Sequence, residues 1–232
     1  LSFKIKNACA TINELVLNPS KKEKLMFKNF ASDALGLSDI GKIIPPSQFN
    51  QTDIDDCIFH EDNERIYFVI KSKMDEYCFT NTAFIHLDGQ SATSKKRMLK
   101  RYPYRYFAPS QVFIETAGTM DLDVELKFHL GGLAFSIDID KSQIEGVRDI
   151  YKALTAIAER CQAICHDEMV LEKTFETVTG MFNLKDVPEA VIMSLPTVIN
   201  QTVQKVEAGY NERLNAIRQY DFGVVFEHYL RN

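Results

Sequence analysis

The sequence predicts an α+β chain: a curved antiparallel sheet of about seven strands, rolled into a partly open barrel with a helix over one open end, and helical extensions before and after it. Two neighbouring patterns and the change that follows them carry this expectation. In 121–130, Leu122, Val124, Leu126, Phe128 and Leu130 alternate with Asp121, Asp123, Glu125, Lys127 and His129, which a strand's period of two sends to opposite faces. Gly131-Gly132 supplies a tight reversal, after which Phe135, Ile137 and Ile139 alternate with Ser136, Asp138 and Asp140 to complete a hairpin. After Lys141 the apolar spacing becomes three and four, through Ile144, Val147, Tyr151, Leu154, Ala158, Cys161 and Cys165. A long amphipathic helix therefore begins here, with Ser142 as its expected cap and Glu145 three residues on in a capping-box arrangement.

The remaining elements follow the same reasoning. A helix is expected over 20–35, where Leu25, Met26, Phe27, Phe30 and Ala34 give an apolar side and Gly36 ends the turn. Pro45 and Pro46 prohibit regular helix, and a short helix is expected at 52–59 with Thr52 as cap and Asp53, Asp55 and Asp56 in its first turns. Short strands are expected at 65–71, 76–79 and 83–87, separated by turn-prone residues at 72–75 and 80–82. A meander of this kind rolls up to reduce its exposed edges, whereas a doubly wound fold requires crossover helices between strands. The tail predicts helices at 167–181, 186–195 and 197–220, with Pro196 interrupting the run.

Composition narrows the function classes. The 232 residues are 45% apolar with 16 Phe, enough for one substantial core. The net charge of -5 gives no global positive field, so nucleic acid is not the expected partner. Five Cys without paired spacing favour a reducing interior, and no apolar run reaches membrane-span length, so a cytoplasmic location is expected.

No motif supplies complete catalytic chemistry. The chain lacks a glycine-rich phosphate loop, an HExxH sequence and a GxSxG elbow. Asp121, Asp123 and Glu125 share a strand face, as Asp138 and Asp140 do, which any half-exposed strand produces. Cys161 and Cys165, followed by His166, put two thiols one helical turn apart, but both thiols fall on the packing stripe and are expected to be buried, quiet side chains. Cys9, Cys57 and Cys78 have no adjacent base, and His60, His86, His129 and His228 are scattered. No catalytic residue, metal site or cofactor is expected. The strongest charge feature is Lys95, Lys96, Arg97, Lys100, Arg101 and Arg105, interleaved with Tyr102, Tyr104 and Tyr106. It is the candidate anion-binding segment, weighed against ordinary protection of an exposed strand edge.

Residues 77–154 resemble the bacterial pleckstrin-homology (PH) domain family. The resemblance rests on Phe79-Thr80-Asn81 before Phe84-Ile85-His86-Leu87, on Tyr102-Pro103-Tyr104-Arg105, and on the run from Ile114-Glu115-Thr116 through Leu126, with Gly131-Gly132 and Ile137-Asp138-Ile139 completing it. It implies a PH-like seven-stranded antiparallel partly open barrel capped by a C-terminal helix. Eukaryotic relatives often bind phosphoinositides through basic residues between the first two strands. The corresponding stretch here offers Lys71 and Lys73 beside Asp75 and Glu76.

The expected organisation is a helical N-terminal extension at 1–60, the barrel and its capping helix at 61–165, and a helical C-terminal extension at 166–232. Bacterial members resemble oligomer-forming modules more than enzymes. The expected function is therefore a non-enzymatic protein-binding or self-assembly scaffold, whose partner is a second copy or another protein. The alternative is weak binding of an anionic membrane surface or anionic ligand through 95–105.

Overall fold

The computed structural model describes residues 40–89, 97–116, 123–180 and 196–230. Among these, eight strands form two antiparallel sheets. One runs β1 (Lys42–Ile43), β2 (Ile66–Lys71), β3 (Glu76–Thr80), β4 (Ala83–Gly89), β5 (Arg97–Pro103); the other runs β6 (Pro109–Glu115), β7 (Asp123–Leu130), β8 (Leu133–Asp140). This is the expected partly open antiparallel barrel, with the two-residue β1 as a strand beyond the expected seven.

The β7–β8 hairpin forms in the register its alternation requires, with Val124 opposite Ile139, Leu126 opposite Ile137 and Phe128 opposite Phe135. Gly131 and Gly132 turn it with φ of 55° and 90°, a region that L side chains rarely adopt. The apolar set faces inward: Val124, Leu126, Phe128 and Leu130 are buried.

The two sheets join at one corner. Gly41 N–H donates to the Asp138 carbonyl at 2.8 Å, and Asp140 N–H donates to the Gly41 carbonyl at 2.9 Å. A Cβ on Gly41 would sit 2.7 Å from Ile70 Cγ2 and 3.0 Å from the Asp138 carbonyl oxygen, so this approach needs glycine. At the opposite corner β5 and β6 follow one another in the chain but belong to different sheets, and each ends its sheet. Side-chain packing spans the gap. Phe84 meets Phe79, Phe128, Phe135 and Tyr102 with ring centroids 5.0, 5.2, 5.0 and 6.0 Å away.

The helix α1 (Ile144–Gly180) contributes fully buried Val147, Ile150, Ala153, Leu154 and Ile157. The stripe is thus rotated slightly from the expected one, with Tyr151 and Ala158 half-buried and Cys165 exposed. Its start is capped differently too. The Asp140 carboxylate accepts the Ser142 N–H at 2.9 Å and opens a 3-10 turn at Lys141–Gln143, so Ser142 is not the cap; Glu145 instead pairs with Arg148 at 2.5 Å. In place of the helix expected at 52–59 stands a 3-10 turn at Asp55–Cys57, flanked by others at Pro46–Gln51 and His60–Asp62. Thr52 ends the turn at Pro46–Gln51, its hydroxyl donating to the Phe49 carbonyl at 2.7 Å.

The helix expected at 167–181 is the continuation of α1. The third expected tail helix is α2 (Pro196–Ile217), and a further helix, α3 (Gly223–Leu230), follows it. The expected helices at 20–35 and 186–195 lie outside the described residues. The chain forms two compact units: residues up to Glu159 together with those from Asp221, and Arg160–Tyr220. Within the second, Phe175 and Tyr210 pack at 4.5 Å between ring centroids and Arg218 Nε donates to Glu168 at 2.7 Å. Among the described residues no helix is long and apolar enough to cross a membrane.

Phe84 has no exposed surface and packs against five other rings, Tyr77 included, so Phe84→Ala is expected to cost about 3–5 kcal/mol in urea unfolding. Phe84→Leu is expected to cost less than half of that.

Candidate functional site

The first half of the site is a buried carboxylate at the entrance to β2. Glu64 follows the 3-10 turns, whose last residue is held by Asn63 in the left-handed region at φ 61°, and its side chain is 2% exposed. Burial alone raises the cost of its charge, and four donors offset that cost. Glu64 Oε1 accepts from Thr80 Oγ1 at 2.6 Å, Thr82 Oγ1 at 2.9 Å and Arg101 Nη2 at 2.7 Å, while Oε2 accepts from the Phe59 N–H at 3.0 Å. Desolvation pushes the Glu64 carboxyl up, but hydrogen bonds from Arg101, Thr80 and the Phe59 amide bring it net below its ordinary value. The Arg101 guanidinium also lies over the Phe59 ring at 4.3 Å.

A second group follows at the β3–β4 turn. Asn81 Oδ1 accepts from the Arg65 N–H at 2.8 Å, and Asn81 Nδ2 donates to Asp221 Oδ2 at 2.9 Å. Asp221 Oδ1 in turn accepts the Gly223 N–H at 2.8 Å, the first residue of α3. Phe222 and Phe226 of this returning segment are fully buried.

The candidate anion-binding residues occupy β5 and the turn after it. Arg97 pairs with Asp53, Lys100 Nζ lies 3.1 Å from Asp88 Oδ2, and Arg101 holds Glu64. Arg105 is exposed after β5, its guanidinium 5.4 Å from the centroid of the exposed Tyr106 ring. Lys95 and Lys96 lie outside the described residues. The structure thus places three of these cations each beside a carboxylate from another part of the first unit, pairs that are distant in sequence.

The structure also assembles residues that the sequence left scattered. Asp75, His86 and Asp88 each bring a ligand-type atom within 4.8 Å of the others. His86 Nε2 is 3.2 Å from Asp75 Oδ1, and the His86 ring stacks on Tyr77 at 4.5 Å. Burial raises the Asp75 carboxyl, but the His86 contact and the Gly89 amide outweigh it and hold the carboxyl below its ordinary value. The sequence placed His86 on an expected strand and Asp75 in the expected turn at 72–75, but the β3–β4 register that sets Tyr77 opposite His86, and the approach of Asp75 to His86, appear only in the folded sheet. Among the thiols, Cys78 is buried and its pKa is pushed well up by desolvation, Cys161 is pushed up to about 12 by burial, and Cys165 is exposed, contrary to the buried position expected for it.

Two stacked antiparallel sheets sharing one corner, with an amphipathic helix packed against them, define a PH-like module. The model of the bacterial PH domain family matches residues 34–158, and the chain belongs to that family. It is 51% identical over 214 residues to the uncharacterized protein YvbH of Bacillus subtilis (strain 168), covering 89% of this chain and all of that protein. It is 32% identical over 97 residues to the uncharacterized protein YjqA of the same organism, covering 41% of this chain and 76% of that one. A crystal structure of a PH-domain-containing bacterial protein from Exiguobacterium sibiricum 255-15 superposes with a TM-score of 0.69 at 41% identity, covering 83% of this chain and all of that one.

Glu64 bears on stability in a pH-dependent way. Because its folded-state pKa lies below the ordinary 4.5, its contribution is present above about that pH and is lost as pH falls through the lowered value. Glu64→Gln is expected to cost about 3 kcal/mol at pH 7, since it leaves Arg101 without its charge partner. The difference from the native chain is expected to shrink as pH falls through the lowered value, read by urea unfolding at a series of pH values.

Proposed function

We propose that this chain is a non-enzymatic scaffold that associates through the surface of its PH-like module, with a second copy of itself as the partner. The observation that carries the reading is the outer edge of β6, beside which no strand lies among the described residues. It ends its sheet, it carries the exposed Phe113, and after the irregularity between Ser110 and Phe113 it pairs regularly with β7 through Phe113, Ile114 and Glu115. A strand edge offers unpaired backbone groups to a neighbour, and an exposed ring beside it offers apolar area. The edge of β5, by contrast, is lined by Arg97, Lys100 and Arg101, the kind of charge that discourages pairing. In the second unit Met169 and Val170, 58% and 50% exposed, add apolar surface of the sort an interface covers.

Light scattering from micromolar to tens of micromolar is expected to give a mass of at least two chains. A strict monomer across that range rejects self-assembly. Phe113→Lys is expected to weaken association at least tenfold while leaving the unfolding midpoint unchanged at a dilution where neither chain associates, because Phe113 is already exposed.

Anion binding is the second reading, favoured by the exposed Arg105 and Tyr106 beside one another on the β5–β6 turn. It extends to Lys95, Lys96, Arg97, Lys100 and Arg101. Vesicles containing phosphoinositide at low salt are expected to retain the native chain and to release a variant with Arg105, Lys95 and Lys96 changed to Ala. No retention of the native chain rejects this reading.

A further inference from the structure

Residues 221–230 dock on the first unit through a short and complete recognition pattern. Asp221 accepts from Asn81 Nδ2 at 2.9 Å, and the Phe222 N–H donates to the Asn81 carbonyl at 2.8 Å. Phe222 and Phe226, four residues apart, are both fully buried. The Phe222 ring meets Tyr104 edge-on at 5.7 Å, and the Phe226 ring stacks on Tyr67 at 4.8 Å. Glu227 Oε1 accepts from Arg65 Nη1 and from Tyr67 Oη, each at 3.1 Å. Acid, aromatic, aromatic and acid thus meet amide, ring, ring and cation in order along one groove.

None of these contacts requires the docked segment to belong to the chain that forms the groove. The first unit is left after Glu159 and re-entered at Asp221, and everything between belongs to the other unit. Residues 218–222, which lead in, adopt neither helix nor strand. An identical segment from a neighbouring copy would make the same hydrogen bonds and bury the same two rings, so exchange changes no contact energy.

We infer that this groove is an exchangeable docking site that receives residues 221–230 of a second copy, so that the segment straps neighbouring copies together. The inference rests on the self-assembly reading above. In a lone chain the tether holds the segment at an effective concentration on the order of mM, far above that of free chains at micromolar concentrations. Inside an assembly the neighbour's segment is tethered as well, and the two compete on similar terms.

The test links the groove to the strap at an exposed pair. Arg65 and Glu227 have side chains 56% and 37% exposed, so Arg65→Cys and Glu227→Cys leave the buried contacts in place. One chain carrying Arg65→Cys is co-expressed with a second carrying Glu227→Cys, and the purified protein is treated with a short bis-maleimide. A linked peptide containing positions 65 and 227, identified by mass, can then arise only between chains, and products at the native thiols are distinguished by their peptides. The doubly substituted chain serves as the reference for total docking. Exchange is expected to give the inter-chain link at a tenth or more of the reference yield. A yield below a tenth while light scattering still shows an assembly overturns the exchange and leaves self-assembly standing. A monomer without the inter-chain link overturns both, and a reference chain that does not link at all shows the strap undocked in solution and overturns the exchange.

Discussion

The fold depends on how little backbone holds its two sheets together. A pair of hydrogen bonds at Gly41 joins β1 to β8, a net contribution on the order of 1–3 kcal/mol. Each ring buried in the cluster around Phe84 contributes about 2–3 kcal/mol by area alone, so packing between the sheets outweighs the bridge. The bridge sets where the sheets touch, and glycine is required there because Ile70 and the Asp138 carbonyl leave no room for a Cβ. The aromatic cluster and the buried face of α1 then hold the rest. Among the described residues, a barrel held in this way has no strand pairing between β5 and β6, which leaves the outer edge of β6 uncovered there.

The irregular lead-in depends on carboxylates supplied by neighbouring strands. The 3-10 turns between Pro46 and Asp62 have few ladder bonds of their own, and buried amides need acceptors. Glu76 on β3 provides one, accepting the Ile54 N–H at 3.0 Å through Oε2 while Oε1 pairs with Lys71 across the β2–β3 ladder. Glu64 provides another for Phe59, and Asp53 reaches Arg97 on β5. Lys71, Arg97 and Arg101 therefore supply the counter-charges that let acids sit where turns need them. A buried acid without such a partner would be expelled or neutralised.

How far the sequence revealed this depended on the range of each interaction. The β7–β8 hairpin was legible because alternation and Gly131-Gly132 are local, and its register follows from them. The capping of α1 was half legible: Ser142 has the right chemistry, but Asp140 two residues earlier has the stronger acceptor and takes the amide. The segment Asp221–Leu230 carried its own signal in the spacing of Phe222, Val225 and Phe226, yet nothing local says which surface buries those side chains. The partners of Arg97, Lys100 and Arg101 were illegible for the same reason, since Asp53, Asp88 and Glu64 approach only after the sheet has formed.

Those partners also set the terms on which the basic segment meets any anion. Arg101 Nη2 is committed to Glu64, and an anion that draws the guanidinium away leaves a carboxylate that is 2% exposed with two hydroxyls and one amide but no cation. Breaking a buried pair in this way costs several kcal/mol, more than a single surface charge contact returns. Lys100 and Arg97 are more open, with 27% and 32% of their side chains exposed, but each gives up a carboxylate as well. Arg105 is exposed at the turn, its guanidinium 5.4 Å from the centroid of the exposed Tyr106 ring, so an anion reaches its charge directly from solvent.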